Sequence, residues 1–180
     1  MGANILNREI PLGKEKFIPR SFDENNFVMD WECTKGGMVP PHFHRHMDEH
    51  FTVTKGEVTF TVNGGKIVKH EGETLLVPKM TPHSIKNNSD ESISLRVTYT
   101  PNADAHKMFS AWATFHDDGD SLLTGFLKWL YLQKKLNWRK FSEPAHPVGT
   151  AIFAAMDGVA LTLGKINGWD KYLDKFNSKK

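Results

Sequence analysis

The residues best equipped for chemistry lie in one short stretch, Pro40-Pro41-His42-Phe43-His44-Arg45-His46-Met47-Asp48-Glu49. In an extended segment, side chains two positions apart share a face, so His42 and His44 present adjacent imidazoles to one point. Imidazole suits Zn, Cu, Fe and Ni, and an added carboxylate extends the choice toward Fe and Mn. Glu49 opens the next apolar run, from which a hairpin would return it beside the two histidines. His83, after Pro82 at the head of another run, is the natural fourth donor. His42, His44, Glu49 and His83 are therefore the candidate ligands of one divalent transition metal, Fe, Mn, Ni, Zn or Cu, although residue spacing alone does not bring His83 to the other three. His46 shares the parity of the pair but falls where the chain should turn, which makes it a weaker candidate for a fifth donor or proton shuttle. His50 has the opposite parity to Glu49 and should face away. His70, His106, His116 and His146 sit in turn-like or helical contexts and read as structural or exposed.

Alternating apolar positions from Phe27 to Thr100 supply the elements that must carry these donors. Phe27, Met29, Trp31 and Cys33 share one parity; so do Phe51 and Val53, then Val58, Phe60 and Val62, then Ile93, Leu95, Val97 and Tyr99. Period two with β-branched and aromatic residues marks strands with one buried face. Asn63-Gly64-Gly65 reads as a hairpin turn, because Asn and Gly tolerate positive φ. Lys55-Gly56-Glu57 and Glu71-Gly72-Glu73 read as further turns. Short strands at this spacing predict a small antiparallel sandwich or barrel. Its inward residues, Phe51, Val53, Phe60, Leu95 and Val97 with Met29 and Trp31, would line an apolar pocket, with Arg96 directed outward.

After Pro101 the periodicity becomes helical. One helix is expected over 103–115, ended by Asp117-Asp118-Gly119-Asp120. A second, capped by Ser121 or Asp120, runs to about Leu136, and a third spans 148–166. Gly168-Trp169 precedes a short charged helix that ends toward Lys179-Lys180. The acidic run lacks the rest of a calcium-loop ligand series and reads as helix stop and cap. The chain thus divides into an N-terminal arm (1–26), a β-barrel (27–100) and a C-terminal helical extension (101–180). The apolar helices need cover from the barrel, a partner subunit or a membrane surface, or serve as a lid. A membrane span is not expected, since the apolar stretches fall short of about 20 clean residues.

Composition narrows the function classes. The 180 residues carry 23 basic and 21 acidic side chains, a near-balance that gives no basic surface for nucleic acid. Cys33 is the only cysteine, which excludes an intrachain disulfide and a CxxC zinc site and suits a reducing compartment. The first nineteen residues, interrupted by Arg8, Glu9, Lys14, Glu15 and Lys16, lack a signal-peptide pattern, so a cytoplasmic location is expected and the Asn87-Asn88-Ser89 sequon should be idle. Cys33 has inward parity and should be buried.

Two fixed-spacing runs frame the candidate donors. Gly36, His42, His44, Glu49 and Gly56 are separated by five, one, four and six residues; Gly72, Pro78, Met80, His83 and Asn87 by five, one, two and three. These runs resemble the two motifs of the cupin superfamily, with short, single-domain spacing between them. The first matches at every anchor, and the second departs at Met80, where the family has glycine. Glycine accepts positive φ and methionine resists it, so a different turn, or a side chain projecting toward the pocket mouth, is expected there. The resemblance covers roughly residues 30–100 and implies a cupin jelly-roll barrel with metal held by His42, His44, Glu49 and His83. Four protein ligands on an octahedral metal leave two positions open, as a catalytic site requires.

An apolar pocket around such a metal suits a small aromatic or aliphatic chelating molecule. The resemblance implies, first, a metalloenzyme similar to quercetinase-like dioxygenases. A metal-dependent small-molecule binding or sensing protein without turnover is the alternative, and a barrel merely stabilised by its metal is the third. No catalytic base is evident on the inward faces. Cupin barrels commonly pair through an edge strand, so a homodimer is expected.

Overall fold

A computed structural model describes residues 5–138 and 140–177 of the chain; Lys179 and Lys180 lie outside the described residues. Eleven strands precede or interleave with four α-helices. They are β1 (Ile10–Leu12), β2 (Glu15–Phe22), β3 (Phe27–Cys33), β4 (Met38–Phe43), β5 (Asp48–Lys55), β6 (Glu57–Val62), β7 (Gly65–His70), β8 (Thr74–Val77), β9 (His83–Lys86), β10 (Ile93–Thr100) and β11 (Glu143–Pro144). The helices are α1 (Ala105–Asp117), α2 (Leu122–Lys135), α3 (Pro147–Ile166) and α4 (Leu173–Asn177), the last preceded by a 3-10 turn at Trp169–Tyr172.

All strand pairs are antiparallel, and they form two facing sheets ordered β1-β2-β3-β10-β5-β8 and β11-β4-β9-β6-β7. The predicted alternation is obeyed. On β10, Ile93, Leu95, Val97 and Tyr99 are buried while the intervening residues reach outward. Phe27, Met29, Trp31 and Cys33 face them from β3, in direct register. Arg96 points away from this core and, with Arg20, grips Asp30 on the outer surface at 2.7–3.2 Å. The N-terminal arm adds β1 and β2 to the edge of the larger sheet.

The helices do not float. Phe109 of α1 stacks on Phe27 at 5.1 Å between ring centroids and also touches Phe17, which joins α1 to the barrel core. A second core, built from Phe115, Trp129, Leu130, Tyr131, Leu132, Ala160 and Trp169, holds α1, α2 and α3 together. Ser121 caps α2, its hydroxyl accepting the Thr124 amide. Pro147 occupies the first turn of α3, extending that helix to 20 residues. By length and composition α3 alone among the described residues could cross a membrane, with a mean hydropathy of 1.4. Its central Asp157, however, pairs with Lys134 of α2 at 2.9 Å, and Gly164 lets α3 press against the Tyr131 ring.

The acidic run does end α1, and its side chains are engaged with protein cations and hydroxyls. Arg8 pairs with Asp117, Tyr172 donates to Asp118 at 2.6 Å, and the buried Lys128 ammonium pairs with Asp120. Asn87 of the sequon is fully buried, its amide donating to the carbonyls of Cys33 and Glu91. Cys33 is buried, and its thiol is pushed up to about 11 by burial.

Candidate metal centre

Each candidate donor sits near the start or the end of a strand, and together they bridge the two sheets. His42 on β4 lies directly opposite His83, the first residue of β9, in the smaller sheet. Glu49 enters from β5 of the larger sheet, in register with Tyr99 on one side and Val77 on the other. His44 follows the end of β4, in a bend pinned by the fully buried Met47. The four donor atoms all lie within 4.8 Å of one another. His44, Glu49 and His83 are almost wholly buried, whereas His42 is half-buried.

Hydrogen bonds outside the cluster determine which ring nitrogens face inward. Nδ1 of His42 lies 2.8 Å from the Pro40 carbonyl oxygen, Nδ1 of His44 lies 2.6 Å from that of Phe141, and Nδ1 of His83 lies 2.9 Å from that of Thr81. A carbonyl oxygen only accepts, so each Nδ1 carries a proton, and a ring with no second proton aims an Nε2 lone pair at the centre. Nε2 of His42 and Nε2 of His44 are 3.2 Å apart, and Glu49 Oε2 is 2.9 Å from His44 Nε2 and 2.8 Å from His83 Nε2. Lone pairs packed this closely repel unless a cation lies among them. Protons on the inner nitrogens can serve, but three imidazoles and a carboxylate are also a complete donor set for a divalent transition metal. These residues fit the metal they were expected to hold.

The electrostatics agree. Burial pushes the His42 imidazole down to about 3, reinforced by repulsion from His44 and His83. Burial alone would raise the Glu49 carboxyl, but His44 and His83 outweigh it and hold Glu49 well below the usual carboxylate range. His83 goes the other way: burial depresses it, and the hydrogen bond and attraction from Glu49 more than reverse that. Burial and the nearby Glu49 charge raise the Tyr99 phenol well above its ordinary value, so it remains protonated and donates to Glu49.

The turn at Met80 keeps the conformation that glycine would adopt there. Its φ is +65°, its amide donates to the His44 carbonyl at 2.7 Å, and its side chain is 52% exposed. The left-handed geometry is retained because it aims that amide at the loop carrying His44. The adjacent Lys79 amide donates to Asp48 at 2.8 Å, tying the same two loops together. His46 is exposed in the bend and His50 faces outward, so neither joins the cluster.

The cluster forms one end of a cavity of about 600 Å³ between the barrel and the helices. His42 and Glu49 reach it. Met29, Trp31, Phe51 and Val97 line it as expected, whereas Val53, Phe60 and Leu95 lie in the core behind it. Its roof comes from the C-terminal extension: Phe109 and Trp112 of α1, Trp129 of α2, Phe141, and Ile152 and Phe153 of α3. The helices thus enclose the space in front of the donor cluster.

Two contributions have no counterpart in the motif reading. One is β11, which extends the smaller sheet by pairing Pro144 with His42 and Glu143 with Phe43, while Glu143 pairs with Arg45 at 2.7 Å. The other is Glu15 of β2, a half-buried carboxylate in the cavity wall.

Residues 29–99 match the family model described as cupin domain. Among solved structures, the chain is similar to an RmlC-like cupin from Shewanella frigidimarina, with 21% identity, a TM-score of 0.50 and coverage of 54% of this chain and 86% of that one. The cupin domain of Cnp3 from Schizosaccharomyces pombe matches at 23% identity and a TM-score of 0.47, covering 52% of this chain and 69% of that one. KdgF from Halomonas sp. matches at 17% identity and a TM-score of 0.48, covering 52% and 84%. No curated protein matches the chain. At these identities the likeness concerns the fold alone.

Proposed function

We propose that the chain, whose residues 29–99 match the cupin-domain family model, is a metal-dependent enzyme acting on a small apolar or aromatic chelating substrate, in the manner of quercetinase-like dioxygenases. The observation that carries this reading is the placement of the donor set. Three Nε2 lone pairs and one carboxylate converge at the end of an otherwise apolar cavity, with His42 and Glu49 facing the cavity and His44 and His83 sealed behind them.

A divalent transition metal bound there would act as a Lewis acid for a chelating oxygen pair and, if redox-active, support chemistry with oxygen. The rest of the work falls to the chain. Phe51 and Trp112 offer flat aromatic faces for an aromatic substrate, and Val97 adds aliphatic surface that excludes water. Tyr99 donates to Glu49, whose Oε2 lies against His44 and His83, so the carboxylate is held in place at the centre.

One observation favours the second reading, a binding or sensing protein without turnover. The Tyr99 hydroxyl is committed to Glu49 and the Nδ1 of each cluster histidine to a carbonyl, so within the cluster Glu49 is left as the group that could also serve as a base. Oxygen uptake by protein loaded with Fe, Mn, Ni or Cu, assayed with flavonols and β-diketones, separates the two. Consumption of oxygen coupled to loss of substrate supports the enzyme. Tight binding of the same compounds with no uptake under any metal overturns it in favour of the sensor.

We also propose a homodimer. Val148, Ile152, Val159 and Ile166 of α3, with Leu122 and Leu123 of α2, are each about half exposed or more, which is apolar surface of the kind subunit contacts cover.

A further inference from the structure

The cavity has a second polar end. Strand register sets its distance from the donor cluster: Glu15 pairs with Cys33, Cys33 with Ile93, and Glu49 with Tyr99, six residues farther along β10. At about 3.3 Å per residue the two backbone sites are roughly 20 Å apart, a span the inward side chains shorten. Between them the wall is Met29, Trp31, Phe17, Val39 and Ile85, all apolar.

Glu15 is an unusual residue to place there. Its carboxylate accepts from the Trp31 indole N–H at 3.4 Å and from the Met38 amide, and among the described residues no basic side chain pairs with it. Its neighbour Lys16 turns the other way, to Glu9 and Glu32 at 2.9 and 3.0 Å. A carboxylate set in an apolar wall costs desolvation energy that two neutral donors only partly offset. A glutamine would satisfy the same two donors without that charge. The other polar groups of the lining are the donors His42 and Glu49, the Tyr99 hydroxyl, the Trp112 and Trp129 indoles, Ser142 and His146, and none of them is a permanent cation.

We infer that Glu15 binds the ammonium group of a ligand whose opposite end chelates the metal, so the cavity selects a chelating head, an apolar middle and a cationic tail. This rests on the proposed metal-dependent site and sharpens it from an apolar chelator to an amine-bearing one. Glu15 is a specificity-determining residue here, too far from the donor cluster to take part in the chemistry.

The test is calorimetric titration of zinc-loaded protein, chosen because zinc is redox-inert, with catechols carrying a 4-alkyl chain of two to six carbons. Each chain length is compared with an ammonium end and with a methyl end. At the matching length the ammonium compound is expected to bind about 10-fold tighter. Glu15→Gln should abolish that preference, leaving zinc content and the affinity of the methyl-ended series unchanged. Equal or weaker binding of the ammonium series at every length in wild-type protein would overturn the inference, as would a preference that survives in Glu15→Gln. Failure of both series to bind zinc-loaded wild-type protein would instead sink the proposed site itself, and the inference with it. The wild-type comparison remains decisive even if the variant folds poorly.

Discussion

His44 Nδ1 donates to the backbone carbonyl of Phe141 at 2.6 Å, across 97 residues of sequence. That bond makes the C-terminal extension part of the candidate metal centre. The Phe141 ring lies 5.1 Å from the His44 ring and 5.0 Å from Tyr99, which itself lies 5.5 Å from His44, so the imidazole is wedged between two aromatic edges. Partners of this kind orient a ligand and set its tautomer.

Phe141→Ala should therefore weaken metal binding without touching a ligand. Loss of the ring frees the segment that carries the carbonyl, and an affinity loss of about 10-fold is expected, with about 2 kcal/mol of stability. Phe141→Leu, which keeps most of the packing, should retain most of both. Chelator competition and denaturant melts measure the two effects; unchanged affinity in Phe141→Ala would show that the extension does not support the site.

The pH response should differ between metal-free and metal-loaded protein. In the metal-free chain the pKa of His83 is raised, so its contribution to stability is full below its ordinary value of 6.5 and is lost as pH rises through the raised value. Glu49 is depressed, so its contribution is present above its ordinary 4.5 and is lost as pH falls through the lowered value. His42, lowered to about 3, also costs stability as pH falls below its ordinary 6.5, so metal-free protein should be most stable near pH 6.5 and should soften as pH rises through the raised His83 value. Metal binding needs His83 deprotonated at Nε2, so loaded protein should instead gain stability as pH rises from 6 to 8. Thermal melts with and without chelator across that range check the crossing; parallel curves would contradict it.

Met80→Gly should stabilise the fold. Methionine at φ +65° carries a left-handed strain of about 1 kcal/mol, and its exposed side chain contributes little packing. The expected gain is about 0.5–1 kcal/mol with metal content unchanged. A loss of stability would mean that the side chain makes contacts that matter.

Two glycines of α3 should respond in opposite ways to alanine. At Gly164 a Cβ would fall 2.2 Å from the buried Tyr131 ring, an overpacking that should cost about 2 kcal/mol. At Gly158 nothing lies within 4 Å, and the better helix former should add about 0.5–1 kcal/mol. Equal effects in urea melts would argue that α3 is not seated on α2. Sedimentation at micromolar concentration tests the proposed homodimer, which a monomer would contradict.

The donor set was legible because strand periodicity and motif spacing act over short distances. His42 and His44 share a face by parity, Glu49 heads an alternating run, and His83 heads another. His46 was separable because the chain bends there. Met80 shows where local reasoning stops: its sequence suggested a departure from the glycine turn, but its amide is claimed by the His44 carbonyl, and that contact decides the backbone. The Phe141 carbonyl could not be found by inspecting residue types, since every residue has a carbonyl and only the fold brings this one to His44. Glu15 was hidden for a different reason. Within Lys14-Glu15-Lys16 it resembles one member of a solvated charge run, and only the pairing of β2 with β3 turns it into the cavity.

His42, His44, Glu49 and His83 are proposed to hold one transition metal. Elemental analysis of purified native protein beside His42→Ala and His83→Ala tests this most directly. Close to one metal ion per native chain is expected, with little or none in either variant and both variants still folded by circular dichroism. Native protein that takes up no transition metal, or variants that both retain it, would rule out this site.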